Sequence, residues 1–558
     1  MTVSRSRGLF FSAVAACVLW QGTAVAQSTG PKVLRPGART VQPAQAAQSN
    51  GVQVNQLDAP GRVAAGVLRE EDGGLPADLW LGSERSTIAA LLDRMPGHYS
   101  SPAARDLARR LLLSAGSMPA GQPDDSQLLA HRMTLVLTLG DAESAVSLAE
   151  AAGGGAPTPA VAWPLAEALF ALGETDRACD TVQGQLRIGG RDYWQRASVF
   201  CDIRGERLDA AELTLSLLTE TGEQDPVFRK LANALLDETS VDIEATPDMS
   251  ALDTAMIAAA KSAVVRKIDL LPPHLAVRLS SESAVVNGVR IESGVSAVRS
   301  AGMSPALIML MFGNAAGDPG APYRNHVVTA MSATTGIVRA EALNDLWTNA
   351  SQPENQATAA AFAQGFLRKL QPEAGLAFLA PAAFRMNLLN GEVKRAESWL
   401  TALRRNATAG NTPLSELARA QVLARLAGMK GVDDRALGLW LDSALSLEDR
   451  THAMTVLLAL DALGDPAGPA LWRRVLADGS MASSAVAGDL GLWRQLVMSA
   501  GGGRMGEAIS AALALVGSAP AASIDPIGLA TIAGSLRRLG LETQARRLVV
   551  EAVIGQGG

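Results

Sequence analysis

One short turn returns along this sequence at an almost fixed interval. Leu139-Gly140-Asp141 with Ala145, Leu172-Gly173-Glu174 with Ala178, and Arg204-Gly205-Glu206 with Ala210 place the pattern at glycines 33 and 32 residues apart. Glycine adopts the left-handed conformation that ends a helix without steric cost. The acidic residue after it suits the positive end of the next helix, and the alanine lets two helices approach. The pattern returns at Gly391 with Ala396, Gly503 with Ala508 and Gly540 with Ala545. A unit of this period is a helical hairpin that buries its apolar face by stacking on its neighbours. The 558 residues therefore read as an array of helical pairs.

Composition agrees, since the chain is 48% hydrophobic but only 4% aromatic, with Ala and Leu prominent. Those residues favour helix, and small side chains favour close helix packing. Ser101-Pro102 followed by Ala103 to Ala115 shows the local grammar: Ser caps free amides, Pro fits the first helical position, and Leu107, Leu111 and Leu112 share a face. Polar, Gly- and Pro-rich pieces at Thr239 to Ser250 and Gly313 to Pro322 mark soft boundaries. Between them, Val285-Val286 and Val289-Arg290-Ile291 also allow a strand, and helix is the expectation.

With these turns the chain resembles the tetratricopeptide-like α-solenoids, from about residue 80 to 240 and again from 350 to 555. The resemblance implies an all-α, right-handed superhelix of hairpins that binds protein segments on its concave face. It departs from the family's Trp and Tyr signature, having three Tyr in all, and carries over no residue of a peptide clamp. If Gly189-Gly190 joins the second helix of one repeat to the first of the next, Cys179 and Cys201 each lie about eleven residues from that turn. Antiparallel helices then set them at one height, and a disulfide is expected.

That pairing fits the start of the chain. Arg5 and Arg7, an apolar stretch from Leu9 to Trp20, and Ala24-Val25-Ala26 before Gln27 have the order of a secretory signal. The stretch falls short of the roughly 20 apolar residues that span a bilayer. Cleavage after Ala26 is expected, with Val14-Ala15-Ala16-Cys17 as the alternative of a lipoprotein anchored through Cys17. Loss of Arg5 and Arg7 moves the net charge from −6 to −8, which offers no field for nucleic acid. Residues 27 to 57 lack acidic side chains and carry Lys32, Arg35 and Arg39, as expected for a flexible tail able to make weak cell-wall or membrane-surface contact.

Catalytic signatures are weak. Gly501-Gly502-Gly503-Arg504-Met505-Gly506 matches G-x-G-x-x-G, but Asp489 to Ser499 before it reads as a helix where a dinucleotide site needs a strand. His98, His131, His274, His326 and His452 are scattered, without metal-ligand spacing. Acidic pairs Asp124-Asp125 and Asp433-Asp434 sit where helices start. Trp347, Trp399, Trp440, Trp472 and Trp493 read as packing residues, or as anchors if exposed in a stripe. Ile291-Glu292-Ser293, with Ser300 to Met303 and Leu310-Met311, resembles the neighbourhood of the catalytic acid in lytic transglycosylases, which implies Glu292 as a proton donor to a cell-wall sugar chain.

The expected layout is a signal at 1–26, a tail at 27–79, helical repeats at 80–240, an irregular helical linker at 241–322 and helical repeats at 323–558. The expected role is a periplasmic interaction scaffold for envelope proteins, non-enzymatic and without cofactor. A peptidoglycan-active enzyme using Glu292 is the alternative.

Overall fold

The computed structural model describes residues 65–121, 125–153, 156–222, 225–314, 323–410, 412–442, 447–477 and 489–557. The expected signal, the Cys17 alternative, the tail as far as residue 64, Asp124 and most of the Gly313 to Pro322 boundary lie outside these residues. Contacts divide the chain at Leu57, and the described residues all lie in the unit from Asp58 onward.

The chain is mostly helical, with 26 α-helices among the described residues. All six repeat glycines lie in turns that join packed helix pairs. These pairs are Asp125–Thr138 with Ala142–Ala151, Pro159–Leu172 with Thr175–Arg187, Tyr193–Arg204 with Leu208–Glu220, Ala380–Leu389 with Val393–Thr408, Leu490–Gly501 with Met505–Val516, and Pro526–Arg538 with Glu542–Gly555. Five of the glycines, 140, 173, 391, 503 and 540, are left-handed, with φ between +71° and +96°.

Gly205 is the exception. It has φ −88° and closes its helix right-handed, while Glu206 takes the left-handed position at φ 57°. The following helix is displaced by one residue, so Ala211 is the fully buried alanine and the expected Ala210 is exposed. At the other turns Ala145, Ala178, Ala396, Ala508 and Ala545 are all fully buried as expected.

Two expectations are corrected. Leu75 and Leu79 are buried and Leu68 bridges Ser114, so the segment from 65 to 79 is packed structure and not tail. The second is the all-α expectation, from which a short strand pair within 241–322 departs. Val241–Glu244 and Ala263–Arg266 pair in parallel, Val241 opposite Ala263, across the helix Ala251–Ala259. Both strands alternate buried and exposed, but four residues are too few for that period to stand out in sequence. Val285 adds one bridge to Ala263, and Asn287–Ser300 is helical, including Val289 to Ile291. This helix packs closely at Gly294, where a Cβ would lie 2.0 Å from Ile308 Cδ1.

Packing extends beyond the nearest neighbours of a linear array. The helix Arg85–Leu92 rests on Met505–Val516, and Pro102–Leu113 rests on both Met505–Val516 and Glu542–Gly555. Gly506 N donates to Leu79 O at 2.9 Å, Ala103 N to Glu551 at 3.0 Å, and Arg94 pairs with Asp489.

Arginine joins these helices end to side. Lys supplies only seven of the 49 cationic residues, and arginines repeatedly donate to the free carbonyls at another helix's C-terminus. Arg546 bonds Leu426 O at 3.0 Å, Arg537 bonds Ala462 O at 2.9 Å, and buried Arg132 bonds Leu112 O at 2.6 Å. A helix C-terminus carries partial negative charge and orphan acceptors, so a forked cation satisfies both.

Candidate functional site

The disulfide expected from spacing is present. Cys179 on Thr175–Arg187 and Cys201 on Tyr193–Arg204 are bonded with Cα atoms 5.7 Å apart, across the turn at Gly189. Such bonds persist where the surroundings are oxidising.

A cleft of about 590 Å³ lies where distant parts of the chain meet. One wall is the Pro102–Leu113 helix. Ser101 caps it, accepting from Ala104 N at 3.1 Å, and Ala104, Leu107, Ala108, Leu111 and Leu112 face the core. Helical spacing sends Pro102, Arg105, Asp106 and Arg109 to the other face, and all four line the cleft. The repeat turn at Gly140 approaches from a second side. A Cβ there would lie 2.3 Å from Ala301 Cβ, so this contact requires glycine.

The 301–305 turn after Asn287–Ser300 forms the third side, with Gly302 left-handed at φ +68°. Arg105 Nη1 holds it, donating to Arg299 O at 2.8 Å and Ser300 O at 3.2 Å. Burial lowers the Arg105 pKa, while the Glu551 and Asp106 carboxylates act in the opposite direction. The helix Pro353–Leu367 contributes Ala357, Thr358, Ala361 and Gln364, a small-residue face at helical spacing. Asn390 completes the wall beside the Gly391 turn and anchors it by donating to Ala360 O at 2.7 Å.

Electrostatically the cleft is cationic. Arg105, Arg109, Arg299 and Arg547 line it against Asp106 and Asp141. Arg547 donates to Asp106 at 3.1 Å and Arg109 to Asp141 at 2.7 Å, so two arginines are compensated locally. Glu551 lies just behind the wall, and burial pushes its carboxyl up to about 7 although Ala103 N and Ser101 donate to it.

Of the residues singled out from sequence, Leu139, Gly140, Asp141 and the stretch Ala301 to Met303 line the cleft, and Gly391 borders it, a Cβ there lying 3.6 Å from Arg547 Nε. Glu292 stands on an exposed face of its helix and does not line the cleft. Trp399 and Trp440 are buried, and Trp347, Trp472 and Trp493 are partly buried against the core. Gly502, Gly503 and Arg504 form an interhelical turn, with Gly501 ending the helix before it and Met505-Gly506 starting the helix after it. Asp433 caps its helix start, accepting from Arg435 N at 3.2 Å. The histidines stay apart: His131 pairs with Asp93 at 2.9 Å, His452 meets Trp440 edge-on, and burial pushes buried His274 down to about 4. Among the described residues no group of three His, Cys, Asp or Glu could hold a metal ion. No described helix is long and apolar enough to cross a membrane.

Sequence reading missed the four arginines of the cleft. Only the spacing of Arg105 and Arg109 hinted at a shared face, and nothing local links them to Arg299 or Arg547. No protein-family model matches the chain, and no curated protein matches it either.

Proposed function

We propose that this protein is a non-enzymatic interaction scaffold of the bacterial envelope, built from tetratricopeptide-like helical pairs and acting in the periplasm. The observation that carries this reading is the preformed cleft at the junction of distant helices, with walls fixed by a capped helix, a glycine contact and arginine-to-carbonyl bonds. A surface held in this way binds without first being ordered, which reduces the entropy cost of association. The Cys179–Cys201 bond supports an exported location. The enzymatic alternative gains no comparable support, because Glu292 is not among the residues that line this cleft.

Site-specific photocrosslinkers in living cells test the proposal. Placed at Gln364 or Asn390 they should trap one envelope protein that a probe at exposed Glu212 on Leu208–Glu220 does not. The same species from all three positions, or none from the cleft, would refute it.

A further inference from the structure

We infer that the outer face of Leu208–Glu220 docks a cationic amphipathic helix of a partner protein, on a surface separate from the cleft and for a partner other than the one proposed there. In the two pairs before it, the second helix packs on the first helix of the pair that follows: Ala142–Ala151 on Pro159–Leu172, and Thr175–Arg187 on Tyr193–Arg204. Among the described helices, Leu208–Glu220 packs extensively on Tyr193–Arg204 alone. The next helix, Pro226–Leu236, turns instead to Tyr193–Arg204, Ala251–Ala259 and the strand Val241–Glu244. Leu208–Glu220 thus ends this run of stacked pairs with the side away from Tyr193–Arg204 in solvent.

An end helix of a stacked array normally turns a polar face outward. This one does not. Ala210, Leu213 and Leu217 recur at the i, i+3 and i+7 spacing of one helix face, and all three are exposed, Leu213 at 72% and Leu217 at 50%. A leucine line at that spacing matches the ridges of another helix. Charge around the line narrows the partner. Asp209 and Glu212 run along one flank, each one residue before a member of the line, while Glu206 and Glu220 stand at its two ends, and all four carboxylates are exposed. From 204 to 220 the only cations are Arg204 and Arg207, and Arg207 is bonded to Asp202 at 2.7 Å. A second copy of this face would set carboxylates against carboxylates, and anionic lipid would be repelled. A helix with an apolar stripe and lysine or arginine beside it satisfies both the leucines and the acids.

Calorimetric titration of the full mature chain tests this with three synthetic peptides of about 18 residues, long enough to hold a helix. The first has leucine at helical spacing and lysine elsewhere, the second replaces lysine with glutamate, and the third keeps the first one's composition in strict alternation. The helical leucine-lysine peptide should bind saturably and more weakly as salt rises. The alternating peptide should bind at least about tenfold more weakly, and the glutamate peptide not at all. Leu213→Ser with Leu217→Ser should weaken the first peptide by about tenfold or more, without altering the far-ultraviolet spectrum, because both side chains are exposed. Glu212→Lys should weaken it by about threefold and flatten its salt dependence. No saturable binding, equal affinity for the alternating peptide, or full affinity in the serine double variant would each overturn the inference. So would a wild-type dimer in sedimentation that the double variant dissolves, since a second copy would then cover the face.

Discussion

Replacing Gly506 with alanine probes the contact between the first described helices and the C-terminal ones. A Cβ at 506 would lie 2.3 Å from Trp80 Cε3, 2.4 Å from Cζ3 and 2.9 Å from Leu79 O. Trp80 is fully buried and cannot swing aside, and Leu79 O already accepts the Gly506 amide at 2.9 Å. Overpacking of this kind costs about 1–3 kcal/mol, and loosening the hydrogen bond about 1 more. Position 506 is helical, so alanine regains about 0.5–1 kcal/mol of propensity. The net loss is about 1–3.5 kcal/mol, all of it at one contact.

Amide hydrogen exchange reads such a local opening directly, because each 1.4 kcal/mol changes the open population tenfold. Amides from 79 to 92 should exchange about 5- to 300-fold faster in Gly506→Ala, while those of Pro159–Leu172 keep their rates. Trp80→Ala removes the clashing ring, so the double variant should lose less than the sum of the single variants. Wild-type exchange rates across 79 to 92 in Gly506→Ala would refute the close approach and the docking built on it.

Two further outcomes follow from the same structure. Unreduced, denatured mature protein should show no free thiol from Cys179 and Cys201, and reduction should lower stability by about 3 kcal/mol for a loop of this size; two titratable thiols would exclude the bond. Glu167 is buried, accepting from Tyr193 Oη and Ala251 N, both at 2.7 Å, and burial pushes its carboxyl up from 4.5 to about 7. The folded state therefore keeps a proton that the unfolded chain releases. This stability is full below about 4.5 and is lost as pH rises through 7, amounting to about 3 kcal/mol. Urea melts across that window should show the Glu167 contribution falling with pH, and in Glu167→Gln stability should fall less with pH than in the wild type; Glu551, also pushed up to about 7, adds to the fall and His274, pushed down to about 4, opposes it. An unchanged slope in the variant would remove Glu167 as a cause.

The helical pairs were legible because their signals are local. A left-handed residue, a cap and a 3.6-residue apolar period all act within one or two turns, and six of six glycine turns fall between packed helices. The disulfide was legible for a related reason, since two helices joined by a short turn fix which residues share a height. Even there the local rule had a limit. Gly205 does not take the left-handed position, and Glu206 does so in its place, shifting the buried alanine by one residue.

Tertiary structure alone decided the docking of residues 65–113 on the C-terminal helices, the parallel strand pair, and the cleft. Ala103 meets Glu551 across 448 residues and Arg547 meets Asp106 across 441, and no periodicity encodes a pairing of that separation. An arginine that caps a distant helix looks in sequence like any solvated charge. Its role appears only when the carbonyls at that helix's end, which water satisfies in the unfolded chain, are buried and need a donor from elsewhere. The sequence determined how each helix starts, stops and turns back. Which helix ends meet, and so where positive charge gathers around a cleft, was decided by packing across the whole chain.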